Sequence, residues 1–211
     1  MPWPQAALLG CGVVTGAGAV LDTADVQAAD SVVVIGAGGV GLNAISGAVV
    51  AGATTIIAID IADGKLDRAR AFGATHTINS TTSDPVAEVA AITGSGASAV
   101  FDFVGAGGVT EQAMQMVKPG GGLYLIGILD PSTTLSTSSL DLLMKKIRIE
   151  GVYMGSTTAK RDIPMFAELY LQGRFELDAL VSKEISLAQI EEGYASLSDP
   201  AIAKVVVTDL S

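Results

Sequence analysis

Three glycines at the spacing Gly36-x-Gly38-x-x-Gly41 stand between two apolar runs, and they restrict the fold of this chain more than any other feature. The run before them, Val32-Val33-Val34-Ile35, is β-branched throughout, the composition of a strand buried on both faces. A stretch rich in Ala, Val and Gly follows, enough for about three helical turns. Then comes Ile56-Ile57-Ala58-Ile59, ending on Asp60. Strand, glycine turn, helix, strand and a carboxylate about twenty residues past the last glycine form the layout of a dinucleotide-binding βαβ unit. Gly36 permits the tight turn, Gly38 leaves the backbone bare for a pyrophosphate, and Gly41 lets the helix lie close on the sheet. The unpaired N–H groups of the helix start suit an anionic pyrophosphate. Asp60 is placed to accept hydrogen bonds from both adenosine ribose hydroxyls and to repel a 2′-phosphate, which favours NAD over NADP.

A membrane span is the competing reading, because no charged residue occurs between Ser31 and Ile59. The dense glycines, Asn43, two threonines and the lack of Lys or Arg at either flank argue for a buried strand and helix instead. At 211 residues the chain can bury one sizeable core, or one domain plus an appendage. Its 49% hydrophobic and 16% charged residues suit an α/β fold with an interior sheet. A net charge of −10 disfavours nucleic acid and anionic membranes as partners. One cysteine excludes an internal disulfide framework and fits a reducing compartment. Pro2, Pro4 and the missing basic n-region argue against a signal peptide, so a cytoplasmic location is expected.

Ala6 to Val20 has helix-like apolar content broken by Gly10, Gly12, Gly16 and Gly18. Beyond the βαβ unit, helices are predicted over Lys65 to Phe72, Pro85 to Ile92 (with Asp84 as N-cap) and Thr110 to Val117. Strands are predicted at His76 to Ile78, Ala99 to Val104 and Leu123 to Ile128. A Ser/Thr-rich loop over 132–139 then leads to strand-like Ile147 to Met154. Two further helices, Met165 to Gln172 and Leu187 to Leu197, precede a terminal strand, Lys204 to Thr208. This alternation implies a doubly wound parallel sheet whose carboxyl strand ends carry Gly36, Asp60, Val104, Gly105, Gly127 and Ile128. His76, the one histidine, sits at the entry of a short strand and reads as structural.

Taken together, LLGCGVVTGAGAV, GAGGVGLNAI, AGATTIIAIDIADGKLDRARAFGATHTIN and VKPGGGLYLIGI resemble the zinc-dependent alcohol dehydrogenases of the medium-chain dehydrogenase/reductase family. The tail, GRFELDALVSKEISLAQIEEGYASL, matches that family in spacing. The resemblance implies a Rossmann domain over 13–153, flanked by 1–12 and 154–211 as parts of a GroES-like catalytic domain. It implies hydride transfer between an alcohol or aldehyde and NAD, with zinc polarising the substrate oxygen. By position, Cys11 falls on a ligand of the catalytic zinc and Thr15 beside the nicotinamide. Gly36, Gly38, Gly39, Val40 and Gly41 fall on the pyrophosphate turn, and Asp60 with Lys65 on the adenosine ribose pair. Val104, Gly105, Ile126, Gly127 and Ile128 fall on the wall along the nicotinamide, with Met154 near that ring. A homodimer through the edge strand at 147–154 is also implied.

The remaining zinc ligands belong, in the family, to a domain that this sequence does not contain, so it is expected to be a C-terminal fragment without turnover of its own. A poorly held terminal strand is expected for the same reason. Where many members carry an arginine for the pyrophosphate, Ala203 or Lys204 stands here. A stand-alone NAD-binding module is the alternative from another class. Zinc-free quinone reductases, which usually prefer NADP, are the alternative within the enzymes, and Cys11 and Asp60 count against them.

Overall fold

The computed structural model describes residues 1–128 and 134–210. Six parallel strands, β1 (Ser31–Ile35), β2 (Thr55–Asp60), β3 (His76–Asn79), β4 (Ala97–Asp102), β5 (Val117–Leu125) and β6 (Arg148–Gly151), form one sheet in the order β3-β2-β1-β4-β5-β6. The chain winds outward from β1 in one direction, then returns to place β4 on the other side of β1. That reversal opens a crevice at the carboxyl ends of β1 and β4.

Each strand divides its side chains between two cores by simple alternation. Val32, Val34, Ile56, Ala58, Ala99 and Phe101 face one layer; Val33, Ile35, Ile57, Ile59, Val100 and Leu123 face the other. Val32, Val33 and Val34 are wholly buried, as a strand covered on both faces requires. Phe101 stacks on Tyr124 across adjacent strands, with ring centroids 5.0 Å apart.

The N-terminal segment forms one continuous helix, Trp3–Thr23, rather than a helix interrupted by glycines. Its α-helical pieces α1 (Trp3–Leu8) and α2 (Val14–Gly18) alternate with π-helical turns, Leu9–Val13 and Ala19–Thr23. Here glycine serves packing: a Cβ on Gly16 would lie 2.2 Å from the Val40 carbonyl oxygen, so only glycine lets this helix cross α3 (Gly41–Ala51) at backbone contact. By length and composition Trp3–Thr23 is apolar enough to cross a membrane, yet most of it packs into the domain. The 31–60 stretch contains no such helix; its apolar residues belong to β1, the eleven-residue α3 and β2.

The other layers are α4 (Asp63–Ala71), α5 (Pro85–Thr93), α6 (Gly107–Gln115), α7 (Ser139–Lys145), α8 (Ala159–Leu171) and α9 (Ile190–Ser196). Asp84 caps α5 as its sequence suggests, accepting the N–H groups of Val86 and Ala87. Several boundaries differ from the sequence reading. β5 begins at Val117 and ends at Leu125, so Ile126 to Ile128 lie beyond it. α7 begins at Ser139, the last residue of the Ser/Thr-rich segment, of which 132–133 lie outside the described residues. β6 is four residues long, and Met154 opens a 3-10 turn instead of continuing the strand. The expectation of a poorly held terminal strand is corrected. β8 (Lys204–Asp209) pairs in parallel with β7 (Val181–Ser186), and Val206 is buried.

Candidate coenzyme site

The chain turns sharply at the end of β1. Gly36 holds φ +93°, a left-handed conformation, and donates its N–H to the Ile59 carbonyl at 2.8 Å. A Cβ on Gly41 would lie 2.0 Å from the Gly36 carbonyl oxygen, so α3 starts directly against the turn. Gly38 faces open space, with nothing within 4 Å of where its Cβ would be. The turn therefore presents bare backbone and the N-terminus of an eleven-residue helix to the crevice.

Asp60, 8% exposed, closes the other side. Its Oδ2 accepts the Ala37 N–H at 2.9 Å, and its Oδ1 accepts Ile61 and Ala62 at 2.8 and 3.1 Å. The Lys65 ammonium stands 4.0 Å from Oδ1. The carboxylate thus braces the glycine turn itself, a role the sequence pattern did not disclose. An ionised carboxylate has about four acceptor sites, so three backbone donors leave roughly one free for a ligand.

These groups share one cavity of about 410 Å³, lined by Gly36, Gly38, Gly39, Val40, Gly41, Asp60, Lys65 and Val104. Sequence reasoning missed Phe103, Gln112 and Met116, which line it from the β4 side, and Ser80 and Pro85 from the far side of Asp60. A larger cleft of about 580 Å³ lies between Phe72 and the Tyr170–Asp178 region, but it holds none of the glycine turn.

The residues assigned to the nicotinamide end lie outside that cavity, apart from Val104. Thr15 and Met154 meet, with Oγ1 3.7 Å from Sδ, and Gly105 and Gly127 pack backbone on backbone. Ile128 lies beyond the end of β5 and is 98% exposed. Cys11 is exposed in the first π-helical turn and lines a separate cavity of about 270 Å³ with Gly12, Asn43 and Lys204. Among the described residues no three His, Cys, Asp or Glu side chains gather as a metal site. A catalytic zinc needs about three protein ligands, so the donors present do not fit one. His76 begins β3, at the end of the sheet opposite the crevice, and its Nδ1 lies 2.9 Å from Thr75 Oγ1.

Lys204 and Ala203, the two residues read at this position, both lie against Gly39. The Lys204 side chain lies across the glycine turn, with Cε 2.6 Å from where a Gly39 Cβ would sit. A cationic side chain on β8 is thereby carried to the N-terminal end of α3.

A doubly wound parallel sheet, a bare glycine turn at its switch point and a carboxylate on the next strand define a dinucleotide-binding domain. Residues 39–171 match the family described as zinc-binding dehydrogenase, and the chain belongs to that family. It is 35% identical over 202 residues to alcohol dehydrogenase B of Mycobacterium tuberculosis, covering 93% of this chain and 53% of that protein. It is 33% identical over 201 residues to S-(hydroxymethyl)glutathione dehydrogenase of Paracoccus denitrificans, covering 92% and 53%. The structure of benzyl alcohol dehydrogenase from Acinetobacter calcoaceticus superposes with a TM-score of 0.95 at 35% identity, over 99% of this chain and 57% of that one. A candidate zinc-binding dehydrogenase of Sinorhizobium meliloti 1021, solved bound to NADP, superposes at 0.81 with 26% identity, over 96% and 57%. The chain spans about half the length of the curated relatives it matches.

Proposed function

We propose that this chain is the coenzyme-binding part of an NAD-dependent alcohol dehydrogenase acting on an alcohol or aldehyde. The observation that carries the reading is the single cavity in which the bare glycine turn and the braced Asp60 carboxylate face each other. Gly38, Gly39 and Val40 with the start of α3 hold the pyrophosphate, while Asp60 and Lys65 take the adenosine ribose. Val104 and Gly105 guide the chain toward the nicotinamide end, where Thr15 and Met154 meet. NAD, when bound, supplies the hydride acceptor. Zinc belongs to the longer protein in this reading; here Cys11 offers one thiol toward it, and no step is assigned to it. A second copy of the chain is proposed as a partner along β6, and a cytoplasmic location is proposed with it.

Coenzyme choice is the test. Asp60 is pinned by three backbone N–H groups and cannot swing away from a 2′-phosphate. The like-charge contact costs about 1–3 kcal/mol, roughly ten- to a hundredfold in affinity, with Lys65 offsetting part of it. Calorimetric titration should show NAD binding more tightly by that order, and Asp60→Ser should narrow the gap. Equal or tighter NADP binding by the unaltered chain overturns the assignment.

A further inference from the structure

Asp102 closes β4, is 1% exposed and has no part in the reading above. Its Oδ1 accepts the N–H groups of Val104 and Gly105 at 2.9 and 3.0 Å. Its Oδ2 accepts the Thr110 hydroxyl at 2.6 Å, and Thr110 is itself 3% exposed. Its backbone carbonyl accepts the N–H groups of Ile126 and Gly127 at 3.0 and 2.9 Å. One residue therefore ties the segment after β4, the segment after β5 and the body of α6 together. The four residues it holds by their amides are those assigned to the nicotinamide end.

The fit around this knot leaves no slack. A Cβ on Gly127 would lie 2.4 Å from the Gly105 nitrogen, and Gly105 holds φ +72°. The Thr110 hydroxyl also lies 3.3 Å from the Ala106 carbonyl, but it has one proton, and the shorter contact to Asp102 takes it. A buried carboxylate oxygen must keep its donors. Without the hydroxyl, Oδ2 has lost its partner, and the carboxyl turns toward the N–H groups of Val104 and Gly105, moving that segment. Small displacements of a positioning segment lower binding and rate steeply.

We infer that Thr110, acting through Asp102, is a positioning residue: the pair sets the wall along the nicotinamide end and so lets the chain distinguish a complete dinucleotide from one that lacks the nicotinamide. This deepens the coenzyme reading and rests on it. The experiment titrates NAD and ADP-ribose, which lacks the nicotinamide, into the unaltered chain, Thr110→Val, Thr110→Ser and Asp102→Asn. In Thr110→Val the affinity for NAD should fall about tenfold, while ADP-ribose binding, which also reports an intact fold, stays within about twofold. Thr110→Ser keeps the hydroxyl and should restore the NAD preference; Asp102→Asn should behave as Thr110→Val. Equal loss for both ligands, no change for either, or a serine variant as weak as the valine one overturns the inference while leaving the coenzyme reading in place. An unaltered chain that binds neither ligand overturns both.

Discussion

Lys204 acts at the range of a single side chain. Its Cε overlies Gly39, so a pyrophosphate on the glycine turn would lie beside its ammonium. A charge-assisted contact of this kind contributes about 1–1.5 kcal/mol at a partly exposed position. Lys204→Ala should therefore weaken NAD and ADP-ribose alike, about tenfold, and flatten the salt dependence of both. AMP, which has no pyrophosphate, should be little affected; titrations at two salt concentrations check this. The sequence could not choose between Ala203 and Lys204 because the phase of alternation along β8 depends on its pairing with β7, and β7 was not read. Asp60 was legible as a neighbour of the glycine turn by its distance from the glycines, and the two share one cavity. The bonds of Asp60 to Ala37, Ile61 and Ala62 were not legible, since they depend on how the two loops meet.

At the level of elements, the first turn of α8 is held by a buried acid. Asp162 accepts the Thr158 N–H at 2.5 Å and pairs with Arg161, which also reaches Asp22 at 2.5 Å. The Arg161 guanidinium and the Thr158 N–H hold the Asp162 carboxyl below the usual carboxylate range, against the opposing effect of burial. Burial pushes Asp22 upward, with help from the charge of Asp162. A depressed carboxylate contributes stability above its unfolded value near 4, and that stability is lost as pH falls through the folded value. The raised Asp22 has the opposite sign and blunts the effect, since its contribution is present at low pH and lost as pH rises. Asp162→Asn should cost about 1–2 kcal/mol at neutral pH, the low end of such losses because Arg161 is exposed, and less in acid. Urea unfolding across pH measures both. The elements read correctly carried local signals: a β-branched run for β1, Asp84-Pro85 before α5, Gly73 after α4. The glycine-rich N-terminal helix was misread because Gly16 answers to the start of α3 and Gly18 to Gly155 and Thr157, partners distant in sequence. β7 escaped because VSKEIS buries little of itself, and α7 because serine and threonine surround it.

For the molecule as a whole, the sheet ends in two edges among the described residues, β3 and β6. β6 pairs with β5 on one side alone, and beside it α7 exposes Leu140, Leu143 and Met144, with Tyr153 nearby. An unpaired edge next to an apolar patch invites pairing with an identical edge about a two-fold axis. Sedimentation of the purified chain should show a dimer that Ile149→Pro converts to monomer; a chain that is monomeric at every concentration removes the proposal. The doubly wound parallel sheet was legible from the alternation of strands and helices, whereas this patch was not, because exposure belongs to the assembled surface. The tail carries a different consequence. β8 finds its hydrogen bonds on β7, outside the main sheet, yet it lays Lys204 over the turn that begins α3. The last fifty or so residues thus lie against the domain through polar bonds, Gln5 to Asp178 and Arg68 to the Ala201 carbonyl, as well as through apolar contact. In the coenzyme reading proposed above, a phosphate on the turn would add a contact to Lys204, so that nucleotide binding and the holding of the tail would be linked, each tightening the other.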